Sequence, residues 1–158
     1  MTARRTLGAL LLVATSLALG CRPAMRAPAP GRAAAPVELA ALEGTSWILA
    51  AWGDGAPAAS TPRVSLRYAA GRFEGRSGCN RYTAPVEQRS GGGAIAVGAI
   101  AVTRMMCAEP AAGIEQRFLA ALGRARASER QDGRLGIATV GADGRPETLV
   151  FTAEPTAP

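Results

Sequence analysis

From residue 45 onward, short β-competent runs separated by glycine-containing turns dominate the chain. Val64–Tyr68 alternates strictly, so its first, third and fifth side chains lie on one face of a strand. Ala70-Gly71 predicts a tight turn, and Asp132-Gly133 is a strong two-residue hairpin signal. Runs of this length joined by such turns predict a mainly antiparallel sheet.

Further strand-like runs have clear bounds, and the run at 94–103 changes parity at Gly98, which predicts a bulge or bend there. The remaining predicted strands are Thr45–Trp52, Arg72–Gly75, 125–131, Leu135–Thr139 and Thr148–Phe151.

A single helical pattern follows Pro110, which suits the first turn of a helix. Ile114, Phe118 and Leu122 then recur at helical spacing and form an apolar stripe. Together these patterns predict an α+β, mainly β fold: a small antiparallel sandwich or partly closed barrel with one packed helix.

The first 21 residues have the order of a secretory signal. Arg4-Arg5 precede an apolar run at 7–19, which ends in Gly20 and Cys21. The run is too short to favour a membrane-spanning helix. We predict a lipoprotein signal peptide at 1–20 and lipidation of Cys21, although an ordinary or twin-arginine signal remains an alternative.

The segment after the leader is rich in proline, alanine and arginine. We therefore interpret 21–37 as a lipidated cysteine followed by a tether, 38–153 as the folded domain and 154–158 as a flexible tail. Residue 22 is Arg rather than the Asp that retains some lipoproteins at the inner membrane. This resemblance favours the periplasmic face of the outer membrane.

Composition excludes several chemistries. The chain contains no His, so it has no His-based triad, general base or metal ligand. Its arginines are scattered without aromatic interleaving, unlike a nucleic-acid footprint. We therefore predict a protein that is not an enzyme, with no cofactor, no metal and no nucleic-acid partner.

Two cysteines remain after Cys21, namely Cys79 and Cys107. An exported protein meets an oxidising compartment, which favours a disulfide between them. The alternative is a free thiol, which only an arginine or a helix end could activate in a chain without His or Lys.

Four strings in this order resemble the META (HslJ-like) family: Gly44–Trp47, Ser77–Tyr82, Thr103–Cys107 and Glu115–Leu122. The resemblance covers about residues 38–152. It implies a compact β-rich fold with a helix, an exported and often lipid-anchored setting, and an association with heat shock and stress tolerance. The resemblance does not point to any enzymatic activity.

The motif residues have two interpretations. In the structural one, Asn80 caps a turn, Thr103 and Arg104 pair with a sheet edge or a carboxylate, and the adjacent Met105 and Met106 point to opposite faces of a strand. In the functional one, some of these polar side chains line a ligand groove. The candidate binding residues are Asn80, Arg81, Thr103 and Arg104.

Three functional hypotheses follow. The first is a non-catalytic, lipid-anchored envelope protein that supports stress tolerance by binding a protein or a small apolar ligand. The second is a thiol redox protein that uses Cys79 and Cys107. The third is an exported inhibitor of envelope-targeting enzymes, with Gly91–Gly93 as an exposed flexible tip.

Overall fold

In the computed structural model of the protein, the described residues are 33–155. They form ten β-strands, one α-helix and one short 3-10 helix at Leu39–Leu42. The strands are β1 (Ala35–Pro36), β2 (Ser46–Ala51), β3 (Ser65–Ala69), β4 (Arg72–Arg76), β5 (Arg81–Gln88), β6 (Ile95–Val97), β7 (Ala101–Val102), β8 (Ala127–Gln131), β9 (Arg134–Val140) and β10 (Pro146–Ala153), and the helix is α1 (Ala111–Leu122).

The strands pair antiparallel in the order β1-β8-β9-β10-β2-β3-β4-β5-β6, and β7 pairs separately with β5. The predicted turns at Ala70-Gly71 and Asp132-Gly133 are present. All four residues have positive φ, between 49° and 76°. Positive φ at both central positions is what a type I′ hairpin requires, which suits Asp132-Gly133 between β8 and β9 and Gly71 between β3 and β4.

The sheet curls until its two ends meet. The amide of Ile95 donates to the carbonyl of Arg126 at 2.8 Å, and the amide of Ser128 donates to the carbonyl of Gly93 at 2.8 Å. The remainder of the same edge of β8 pairs with β1. Of the two predicted architectures, the partly closed barrel is therefore confirmed.

Helix α1 packs against the barrel through its predicted apolar stripe. Phe118 and Leu122 are fully buried, and the Phe118 ring meets Tyr82 edge-on with 5.3 Å between ring centroids. The hydroxyl of Thr139 donates to the carbonyl of Ala121 at 2.6 Å, which ties the end of the helix to β9. The fold is thus α+β and mainly β, as predicted.

Three segments differ from the sequence predictions. The single strand expected at 94–103 is two short strands, β6 and β7, and the break begins at the predicted position, Gly98. β5, which lies between the predicted strands at 72–75 and 94–103, has no counterpart among the predicted strands, because Pro85 within it argues against a strand. Ala35–Pro36, assigned to the tether, pairs with β8. The signal peptide, Cys21 and the tether up to residue 32 lie outside the described residues.

Candidate functional site

The hairpin between β4 and β5 contains the string that begins at Ser77. The amide of Ser77 donates to the carbonyl of Asn80 at 2.9 Å, so Gly78 and Cys79 form the tip. Gly78 has a φ of +113°, and a Cβ at this position would lie 2.9 Å from Cγ2 of Ile114. Glycine is required here because the tip turns sharply and touches helix α1 at the same point.

Asn80 is the centre of a buried polar network. Its side chain amide donates to Oε1 of Glu115 at 3.0 Å, and its backbone amide donates to Oε2 at 2.8 Å. Its Oδ1 accepts hydrogen bonds from the Thr103 hydroxyl at 2.9 Å and the Met105 amide at 2.8 Å. One asparagine therefore links the hairpin, helix α1 and the segment after β7.

Glu115 is the anionic partner in this network. Its Oε2 also accepts a hydrogen bond of 2.5 Å from the hydroxyl of Ser77. Partial burial acts to raise the pKa of Glu115, but the hydrogen bonds from Ser77 and Asn80 outweigh it and hold the pKa below its ordinary value. Glu115 is therefore a structural carboxylate, ionised at neutral pH.

Cys79 and Cys107 lie at disulfide distance, as the sequence predicts, with their Cα atoms 6.2 Å apart. Cys79 is buried at the hairpin tip, and Cys107 follows the segment that Asn80 holds. The cysteine pair and the asparagine network thus fasten the same two segments together.

The four predicted binding residues divide into two groups. Asn80 is only 4% exposed, and both Asn80 and Thr103 use their side chains inside the network. Arg81 and Arg104 are exposed, and neither forms an ion pair with a described carboxylate. The structure brings Asn80, Arg81 and Thr103 together around one strand end, since the Arg81 amide donates to the Thr103 hydroxyl at 3.1 Å.

The segment at 102–106, here termed the apolar loop, presents Val102, Met105 and Met106 to solvent, with exposed fractions of 38%, 62% and 102%. They are the exposed large hydrophobic residues among residues 33–155. The prediction that one methionine faces inward is wrong, because β7 is only two residues long and the chain leaves the sheet before reaching them.

A polar cleft of about 610 Å³ lies over β3, β4 and the start of β5. We term it the arginine cleft. It is lined by Ser46, Arg63, Ser65, Leu66, Arg67, Glu74, Gly75, Arg76, Arg81, Tyr82 and Glu154.

Two of the four arginines in the cleft are paired with carboxylates. Arg67 lies 2.9 Å from Glu74, and Arg63 lies 3.5 Å from Glu154. The other two, Arg76 and Arg81, face each other across β4 and β5. Sequence reasoning selected Arg81 but missed its partner, although a two-residue loop at 78–79 would have predicted this register.

Tyr82 closes the floor of the cleft beside these charges. Its hydroxyl donates to the carbonyl of Ser65 at 3.0 Å. Burial, and to a lesser degree the nearby charge of Glu74, raise the pKa of Tyr82 far above its ordinary value. The floor of the cleft is therefore neutral, and its charge comes from the rim.

Residues 33–155 contain no cluster of three or more His, Cys, Asp or Glu side chains that could hold a metal ion. Within the same residues, no helix has the length and apolar character needed to cross a membrane.

The fold and the network define a small, mainly antiparallel β-barrel domain that is fastened to one helix through a single hairpin. Residues 40–155 match the META domain, and the chain belongs to the META domain family. The three strings that contain Asn80, Thr103 and Glu115, and that carry the resemblance to the family, meet in the network.

Two solved structures are similar to the chain. An NMR structure of a protein from Burkholderia xenovorans is 28% identical, with a TM-score of 0.58, and the match covers 85% of this chain and 98% of that one. A second NMR structure is 19% identical, with a TM-score of 0.55, and the match covers 73% of this chain and 94% of that one. The second likeness concerns the fold alone. No curated protein matches the chain in sequence.

Proposed function

We propose that this META-domain protein is a non-catalytic, lipid-anchored protein of the cell envelope that supports stress tolerance by binding a protein or a small apolar ligand. The observation that carries the binding role is the apolar loop. Large apolar side chains that are exposed close together on a folded domain often mark a contact surface. Here they are gathered within five residues rather than scattered.

The setting of the loop strengthens this interpretation. Asn80 holds the Met105 amide, and Cys107 lies at disulfide distance from Cys79, so the backbone is fixed on both sides of the exposed methionines. A fixed backbone lowers the ordering entropy lost on binding. Methionine side chains adapt to differently shaped apolar partners.

The proposed location rests on the sequence of the leader, with Cys21 as the lipidation site and the periplasmic face of the outer membrane as the destination. A cysteine pair at disulfide distance suits an oxidising compartment. Two or three acyl chains would hold the protein firmly, whereas one alone binds reversibly.

Intact-mass spectra of protein from native membranes, with and without reductant, test the anchor. We expect a chain that starts at Cys21 with acyl groups and gains two protons on reduction. A chain without acyl groups would reject the anchor. Two free thiols would favour the alternative thiol redox protein using Cys79 and Cys107.

Complementation of a deletion strain under heat or envelope stress tests the binding role. We expect the native gene to restore survival, and both the C21S variant and the M105S/M106S variant to fail. The matched control is A101S/A108S, which changes two exposed residues that flank the loop. Equal survival with M105S/M106S would reject the loop as the contact.

The alternative hypothesis of an exported inhibitor depends on the predicted exposed tip at Gly91–Gly93, which is only partly exposed. Gly91 and Gly92 are exposed, but Gly93 is buried, and its carbonyl accepts a hydrogen bond from Ser128. The tip is therefore shorter than the sequence suggests.

A further inference from the structure

We propose that the arginine cleft binds a phosphate-type oxyanion between Arg76 and Arg81. This inference goes beyond the proposed function and needs neither the lipid anchor nor the apolar loop.

The first step is the register of the hairpin. Arg76 and Arg81 are direct partners across antiparallel β4 and β5. Directly opposed residues share one face of the sheet, with Cβ atoms about 5 Å apart, and like charges in these positions repel each other. The hairpin therefore places two residues of like charge opposite each other, where two neutral residues would be more stable.

The second step is the missing counter-charge. Both glutamates of the cleft lie closest to the other two arginines, Arg63 and Arg67. Among the described residues, no carboxylate forms an ion pair with Arg76 or Arg81. Two guanidinium groups that line one cleft suit the oxygens of a tetrahedral oxyanion, because each can donate two parallel hydrogen bonds.

The third step is an additional donor beside them. Oγ of Ser65 accepts a hydrogen bond of 3.0 Å from the Arg76 amide. Its own proton has no acceptor among residues 33–155, so it is available to an oxygen in the cleft. A hydroxyl that lines the same cleft as the two arginines adds a further donor suited to phosphate.

The fourth step is the rigidity and the size of the cleft. Arg81 follows directly after Asn80, which is fixed by Glu115 and by the segment after β7. A volume of about 610 Å³ exceeds that of free phosphate and leaves room for the group that a phosphoester carries. The shared chemistry is a phosphoryl group, whether on a lipid headgroup or free in solution.

The test uses the full chain in mild non-ionic detergent and a phosphate-free buffer of low ionic strength. Calorimetry measures binding of two probes: inorganic phosphate, and a short-chain phosphatidylglycerol kept below its micelle concentration. We expect the affinity of the native protein for at least one probe to fall about tenfold for each arginine changed to glutamine, R76Q or R81Q.

The matched control is R72Q. Arg72 lies on the same strand, is exposed, forms no ion pair with a described residue and does not line the cleft. The R72Q variant should bind both probes with the affinity of the native protein. R76K/R81K keeps the charges but loses the paired donors, so it should bind with intermediate affinity and shows that loss of binding is not loss of folding.

The two probes distinguish the source of the phosphoryl group. Binding of the lipid alone, abolished in R76Q/R81Q, supports the site and assigns a headgroup. Binding of inorganic phosphate, abolished in the same variant, supports the site and assigns a free phosphoryl compound. No binding of either probe by the native protein, or equal affinity in R72Q and R76Q/R81Q, overturns the proposal.

Discussion

Glu115 shows how much one side chain can organise. It is partly buried, and it accepts hydrogen bonds from the backbone amide and the side-chain amide of Asn80 and from the hydroxyl of Ser77. Charge-assisted hydrogen bonds of this kind are stronger than those between neutral groups. The contacts of this carboxylate join the hairpin tip to helix α1.

The E115Q variant should be less stable than the native protein by about 1–2 kcal/mol, because one acceptor oxygen becomes an amide that faces donors. Denaturant unfolding at neutral pH measures the difference. E87Q removes an exposed carboxylate outside the network and should stay within about 0.5 kcal/mol of the native protein. A loss for E115Q no larger than for E87Q would contradict the structural role.

The pH dependence of stability follows from the lowered pKa of Glu115. The unfolded chain binds this proton more readily than the folded protein, so ionised Glu115 stabilises the fold above its ordinary pKa of 4.5. That contribution is lost as the pH falls through the lower pKa of the folded state. Stability of E115Q should therefore change less than that of the native protein when the pH falls below 4.5, as measured by thermal unfolding.

The sequence reveals part of this network but not its contacts. Cys79 and Cys107 can be paired from the sequence once Cys21 is assigned to the predicted lipid anchor, because the two remaining cysteines allow one pairing. The contact between Asn80 and Glu115 spans 35 residues, and no local spacing predicts it. Asn80 is a suitable turn residue and also a suitable ligand residue, so only its burial distinguishes the two interpretations.

Strand and turn predictions succeeded where local chemistry is decisive. Asp132-Gly133 is one of the few residue pairs that adopt positive φ readily, whereas at Ala70-Gly71 only the glycine does so without cost. β5 was missed even though Tyr82, Ala84 and Val86 alternate as buried positions. Pro85 lies at an exposed position of this alternation, but a proline within a run argues against a strand, and its tolerance there depends on the pairing with β4, which is a tertiary property.

The Cys79–Cys107 pair joins the β4–β5 hairpin to the segment before α1, and its contribution to stability can be measured. Replacing both cysteines, C79S/C107S, should lower the free energy of unfolding by about 3–4 kcal/mol, because the unfolded chain is then no longer constrained. Denaturant unfolding measures this loss. Reductant should destabilise the native protein similarly and leave the variant unchanged; a reductant effect on the variant would point to another cause.

The same hairpin contains a repulsion that can be measured without any ligand. In low salt and without phosphate, R76Q should be more stable than the native protein by roughly 0.2–1 kcal/mol, because it removes one of two opposed charges. Added sodium chloride should reduce the difference through screening. R72Q, opposite Pro85, should show no such gain. A destabilised R76Q at low salt would contradict the repulsion.

Closure of the barrel depends on the contact between Gly93 and β8. Gly93 has a φ of +78°, and a Cβ there would lie 2.4 Å from the carbonyl oxygen of Ser128. Gly91 has a φ of +102° but no atom within 4 Å of the same position. The two glycines therefore separate backbone strain from a steric clash.

Each alanine variant should lose about 1–2 kcal/mol through backbone strain, and G93A should lose measurably more than G91A. Denaturant unfolding compares the variants. Hydrogen exchange of the Ser128 amide, which donates to the Gly93 carbonyl, should accelerate in G93A alone. Equal losses with unchanged exchange would show that closure does not depend on this contact.

The meeting of 93–95 and β1 along one edge of β8 has a further consequence. Unpaired strand edges are templates on which identical molecules add to one another and aggregate. Here the chain supplies its own neighbours for β8, from the segment before β2 and from the segment that leads into β6. This edge of β8 is therefore closed to the strands of other copies of the chain.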